Sequence, residues 1–176
     1  MVLVLSSVVS GELQNKTFTL PKCSKKDFAT LILAKLLIYG SYIMFVTTMC
    51  ALVDYAYTGM LFGVDLPDIA PVIRGGIFQG LYYTYVLGFI MLAGSLFAKP
   101  ISAGLIALIP AYGTYIIPQL FNVVNYTPSG LLTEASLLAY TTSSTVTQPI
   151  IITILLIVVL VLLTIIRLEK MELTKR

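Results

Sequence analysis

The sequence predicts an all-α membrane protein with four full transmembrane helices preceded by an N-terminal half-span. Composition comes first: apolar residues are 58% of the 176-residue chain, charged residues 11%, and the mean hydropathy is +0.96. A soluble domain carries about 25% charge. The apolar residues are also gathered into four long runs instead of being spread at helical or strand spacing. Finally, ten of the eleven basic residues fall in segments that alternate with those runs in the way four crossings require.

Met1 to Ser10 is apolar but only ten residues long. As a helix it covers about 15 Å, half a bilayer, and it lacks the basic start of a signal peptide. It is expected to be either the cytoplasmic end of a membrane helix whose beginning is missing or an apolar helix lying on the membrane surface. The first full span is expected over residues 28–53, with Lys35 as its one charge, and the second over 76–98 with none. The third, 101–124, is also uncharged and contains Pro110 and Pro118, which are expected to kink it. The fourth, 149–167, is nearly pure Ile, Leu and Val after Pro149, which suits a first helical turn. Its β-branched residues would favour a strand in water, but an isolated strand in lipid leaves its backbone unpaired, so a helix is expected. Each run meets or approaches the roughly 20 residues that cross about 30 Å of hydrocarbon.

Lys16, Lys22, Lys25, Lys26, Lys35, Lys99, Arg167, Lys170, Lys175 and Arg176 share one side, and Arg74 stands alone on the other with Asp54, Asp65, Asp68 and Glu134. The positive-inside rule assigns the basic side to the cytoplasm. Asp54 to Gly75 and residues 125–148 become external segments, and 168–176 a cytoplasmic tail. Within the longer external segment, Ser129 to Tyr140 is apolar enough for a short re-entrant or surface helix. The chain reads as a single transmembrane domain, residues 1–176. Its net charge of +3 follows from the sidedness. No basic stretch is long or interleaved with aromatics, so nucleic acid is not an expected partner.

Residues 12–27 form a polar, basic segment broken by Pro21. Glu12 to Leu20 suits a short amphipathic helix along the membrane face, and Ser24 with Asp27 resembles a capping box for the first span. Here the order is an acidic residue, Glu12, then Asn15-Lys16-Thr17, then the Pro21 to Lys26 stretch, then Ala34-Lys35 inside the next helix. In that order the chain resembles the permease subunits of ABC-2 type transporters. It departs from them in having Lys16 where the family has Gly, and in placing the Pro21 stretch about four residues early.

The resemblance implies helices two to six of a six-helix permease, lacking the first membrane helix and most of the second. The tight Lys99-Pro100 link would join helices four and five, and Tyr126 to Leu132 would dip into the outer membrane surface before the last helix. It further implies a plasma-membrane, multi-pass exporter subunit of prokaryotic type. That subunit would pair with a second permease chain, as homo- or heterodimer, and with a separate ABC ATPase subunit. ATP and Mg would sit on the ATPase, and no cofactor on this chain. Glu12, Asn15, Lys16, Thr17, Pro21 and Lys25 would form the loop that couples ATP hydrolysis to movement of the spans. The lysines would equally suit anionic headgroups, at roughly 1 kcal/mol each.

Other chemistry is poorly served. There is no G-x-x-x-x-G-K-[ST] phosphate loop. His is absent, and the two cysteines, Cys23 and Cys50, fall on opposite sides of the expected topology, so neither a metal site nor a disulfide nor an enzyme centre is expected. Gly76-x-x-x-Gly80 permits close helix packing. Tyr82, Tyr83 and Tyr85, with Gln79 one turn before Tyr83, either line a substrate path or form an interfacial aromatic belt. Gln79, Tyr83, Pro110 and Pro118 are the candidate path residues. Apolar, weakly polar spans suit a hydrophobic or amphiphilic substrate. The residues alone leave a second class open, a four-span scaffold or assembly protein that transports nothing.

Overall fold

The structure is a computed structural model that describes residues 10–11, 28–62, 68–97, 99–137 and 147–173. Among the described residues there are helices and turns and no strand. Ser10 and Gly11 are helical; the rest of the expected half-span and the expected coupling segment, residues 1–9 and 12–27, lie outside the described residues.

Among the described residues, four helices are long and apolar enough to cross a bilayer: α1 (Phe28–Phe62), α2 (Ile69–Leu96), α3 (Pro100–Leu120) and α5 (Thr147–Leu173). A three-residue 3-10 turn, Val124–Tyr126, and a short helix α4, Ser129–Leu137, lie between the last two. Where helices end differs from the hydropathy boundaries. α1 runs past Val53 to Phe62, taking in Asp54, whose carbonyl oxygen accepts a 2.7 Å hydrogen bond from the Thr58 hydroxyl. α2 begins at Ile69 and takes in Arg74, so only residues 63–68 link the two helices where Asp54 to Gly75 were expected to. The physical reason is length. The 35 residues of α1 cover about 52 Å at 1.5 Å each, well beyond about 30 Å of hydrocarbon. Apolarity marks the part in lipid, and the backbone pairing carries on into the interfacial zone.

The α2–α3 link is tight. The Phe97 amide donates to the Ala93 carbonyl at 2.9 Å and the Ala103 amide to the Lys99 carbonyl at 3.1 Å, so Lys99 accepts the first bond of α3. Pro100 stands at the first helical position, where its missing N–H costs nothing. α3 continues through Pro110 and Pro118 but stops four residues short of Val124. Asn122 has φ 55°, and the Val123 amide donates to the Pro118 carbonyl at 3.0 Å. That bond from the residue after the left-handed one is half of a Schellman cap, and Asn is the residue after Gly best suited to it.

The chain divides into two compact units, one of residues 1–38, 85–113 and 155–176, the other of 39–84 and 114–154. In the first, Ile32, Leu87, Ile90, Met91, Ala103 and Ala107 are buried, and Gly88 lets the Leu160 side chain approach α2, 3.1 Å from where a Cβ would stand. In the second, Ile43, Leu131 and Thr153 are fully buried. α2 is the most enclosed of the four: 61% of its apolar window is buried, against 11% for α1, 22% for α3 and 28% for α5. Large apolar side chains such as Leu37 and Phe45 on α1, or Leu155 and Val158 on α5, stay exposed. In lipid this is no penalty, because acyl tails are as apolar as leucine and helices associate through packing and hydrogen bonds.

The buried hydroxyls of α5 are satisfied inside their own helix. Thr153 donates to the Pro149 carbonyl at 2.6 Å and Thr164 to the Leu160 carbonyl at 2.8 Å. This back-bonding lets α5 carry threonines through a hydrocarbon phase without an orphaned donor.

Candidate functional site

The predicted coupling residues Glu12, Asn15, Lys16, Thr17, Pro21 and Lys25 lie outside the described residues. Of the predicted path residues, Gln79 and Tyr83 are half-buried one turn apart on α2, in the second unit. Spacing of four puts both on one helix face. Pro118 is buried in that same unit, whereas Pro110 belongs to the first, so the four do not form one cluster within either.

What surrounds Gln79 and Tyr83 on α2 is a close seam with α1. A Cβ on Gly76 would lie 2.7 Å from the Thr48 Cα, and one on Gly80 would lie 2.7 Å from the Thr47 Oγ1 and 2.9 Å from the Met44 Cα. One turn before Met44 on α1, a Cβ on Gly40 would stand 3.2 Å from the Thr84 Cγ2. Bare glycine surfaces are what allow the two backbones to meet. The Thr47 hydroxyl stands at 2.9 Å from the Ile43 carbonyl oxygen, 3.1 Å from that of Met44 and 3.1 Å from that of Gly76. With its one proton the hydroxyl can close its own helix, bridge to α2, or share between the two. Thr48 donates within α1 to the Met44 carbonyl at 2.8 Å, and Thr84 within α2 to the Gly80 carbonyl at 2.9 Å.

Sequence reasoning picks out Gly76 and Gly80 but not Thr47, Thr48 or Gly40. The only available signal is a Thr-Thr pair and a glycine in the neighbouring apolar run, which does not say which face they occupy.

The tyrosines sit at mid-helix. The midpoint of the 28 residues of α2 falls between Tyr82 and Tyr83. Tyr82 is 5% and Tyr85 1% exposed. Tyr82 meets Tyr83 edge-on with ring centres 5.8 Å apart, and Tyr85 meets Phe89 in the same way at 5.0 Å. Gln79 lies about 5 Å along the axis from the midpoint. Among the described residues, neither its amide nor the Tyr83 hydroxyl has a hydrogen-bond partner.

A second polar feature lies between α3 and α5. The Thr127 and Ser129 hydroxyls are 2.7 Å apart, and the Thr127 hydroxyl stands 2.9 Å from the Val124 carbonyl oxygen. The Gly130 amide donates to the Thr127 carbonyl at 3.0 Å and the Leu131 amide to that of Pro128 at 3.1 Å, which starts α4. A Cβ on Gly130 would stand 2.7 Å from the Val124 carbonyl oxygen and 3.2 Å from the Pro149 Cβ, so the start of α4 is seated against the 3-10 turn and the first turn of α5. Ser129 and Leu131 are fully buried there. On α1, Cys50 is free and exposed.

The fold therefore defines a class, that of helical proteins with four bilayer-length apolar helices. Compared with known proteins, the chain matches no family model, no curated protein and no solved structure.

Proposed function

We propose that this chain is the membrane-spanning permease subunit of an ATP-driven exporter of the ABC-2 type, embedded in the plasma membrane of a prokaryotic cell. A separate ATPase subunit binds ATP and Mg, and its closure pushes on residues 12–27. The push is transmitted through α1 to the other spans, which export a hydrophobic or amphiphilic substrate. A second permease chain, identical or related, completes the assembly.

The observation that carries this reading is the run from Glu12 to Lys35. Its acidic residue, Thr17, the Pro21 to Lys26 stretch and the Ala34-Lys35 pair follow the order of the family's coupling loop. They lead directly into a helix of membrane-spanning length. The tight turn at Lys99-Pro100 and the short helix before the last span are consistent with the same order of elements. Mechanically, a lever of this kind needs a polar, gripping segment joined to a stiff rod without an intervening flexible joint. α1 is continuous for 35 residues, and the glycine seam ties its second-unit half to α2.

The test is charge reversal at Glu12, or deletion of residues 15–20. Either variant is expected to insert normally and to lose substrate-stimulated ATP hydrolysis by the complex. Unchanged stimulation would remove the coupling role from this segment.

A further inference from the structure

The two compact units differ in charge. The first holds the start of α1, the end of α2, the start of α3 and the end of α5. Among the residues whose side chains are described, it carries Lys35, Lys99, Arg167 and Lys170 against one anion, Glu169. The second carries Asp54, Asp68 and Glu134 against one cation, Arg74. Lys99, Arg167 and Lys170 are exposed, and Lys35 is half-buried. Three of these four stand where a charge-free run begins or ends. Lys35 precedes 36–53, Lys99 separates 75–98 from 100–133, and Arg167 closes 135–166. Large, exposed apolar side chains adjoin each of the three: Leu33 and Leu37 flank Lys35, Phe97 and Ile101 flank Lys99, and Leu163 and Ile166 occupy the turn before Arg167.

We infer that the cationic helix ends of the first unit bind anionic phospholipid headgroups, with the acyl chains lying on the apolar side chains beside them. The pairing of cation with exposed apolar surface selects this occupant. A nucleic acid or an acidic protein segment would match the cations but leave the adjoining leucines, isoleucines and Phe97 facing water. A plain hydrocarbon would cover those side chains and leave the cations unmatched. A phospholipid carries phosphate and acyl chain in one molecule, and the long stems of Lys and Arg follow apolar surface while their charge reaches the headgroup. A zwitterionic headgroup brings its own cation, so a surface with four cations to one anion favours an anionic one. The inference stands apart from the permease reading and needs only that the four helices cross a bilayer.

The chain has no tryptophan, so a single introduced one reports on its own surroundings. Two reporters in the full chain occupy exposed positions: Phe97→Trp, two residues from Lys99, and Val53→Trp, beside Asp54 in the second unit. Each is reconstituted in mixed phosphatidylcholine and phosphatidylglycerol bilayers in which one lipid or the other carries bromine on its acyl chains. Bromine quenches the tryptophan it touches, so the two quenching curves give the relative affinity for the two lipids. The Phe97→Trp reporter is expected to favour phosphatidylglycerol about five-fold or more, the size of one cation at an anionic surface. The Val53→Trp reporter should show no preference. Adding Lys99→Gln and Arg167→Gln should bring the ratio at Phe97→Trp close to one, whereas Lys99→Arg with Arg167→Lys should keep it. Undiminished quenching of Val53→Trp by brominated phosphatidylcholine in the neutralised chain excludes lost insertion as the cause. A ratio near one at Phe97→Trp, equal preference at both reporters, or a preference that survives neutralisation would each overturn the inference. Preference without an associated ATPase keeps the lipid site and counts against the permease reading; an associated ATPase without preference does the reverse.

Discussion

The Thr47 hydroxyl of α1 lies 3.1 Å from the Gly76 carbonyl oxygen of α2, beside a glycine whose side-chain space is taken up by α1 backbone. The contact has an energetic consequence. Interhelical hydrogen bonds in membranes average about 0.6 kcal/mol because the separated helix re-pairs its own groups, and Thr47 has the Ile43 carbonyl at 2.9 Å for that purpose. Thr47→Val, which keeps the shape and removes the hydroxyl, should therefore cost less than about 1 kcal/mol. Thr47→Ser should be closer still to the parent. Steric-trapping unfolding in bicelles measures both.

The glycines opposite should matter more. Gly76→Ala meets the Thr48 Cα and Gly80→Ala meets the Met44 Cα, both backbone atoms, whereas Gly40→Ala meets the end of a threonine side chain at 3.2 Å. Overpacking costs about 1–3 kcal/mol when the neighbour cannot move. The expected order of destabilisation is Gly76→Ala and Gly80→Ala well above Gly40→Ala. Equal effects at all three positions would show that the seam is looser than these distances.

At the α4 end of the second unit, Gly130→Ala should push α4 off the Val124 carbonyl and Pro149. Amide hydrogen exchange over residues 129–137 should become faster, with exchange in mid-α2 unchanged. Faster exchange spread evenly over all helices would mean a global loss of stability instead.

Asn122 is the one non-glycine residue with positive φ among those described. Asn122→Gly should be neutral or mildly stabilising, and Asn122→Val destabilising by about 1–2 kcal/mol, the cost of a left-handed conformation for a residue with a branched Cβ. Thermal unfolding in detergent distinguishes them.

Much of the architecture is legible in the sequence because hydrocarbon imposes a simple demand: about 20 apolar residues in a row. That demand locates the four described helices long and apolar enough to span a bilayer, and the Lys99-Pro100 link between two of them. It does not locate their ends, because a helix stays paired after it leaves the lipid. Asp54 and Arg74, which hydropathy places in a loop, are helical for that reason. The end of α3 is set by a left-handed Asn122 inside a stretch that remains apolar through Val124. The glycine pair on α2 is visible in the sequence, but its partners Thr47 and Thr48 are not, since small and hydroxyl residues in an apolar run carry no sign of which face meets which helix.

The central claim is that this chain works with an ATPase, and a mild-detergent pull-down from its native membrane tests it most directly. The account predicts a stoichiometric ATPase subunit in the eluate, lost when Glu12 is reversed in charge or residues 15–20 are deleted while the chain still inserts. A clean preparation without an ATPase would contradict it and leave a four-span scaffold as the better description.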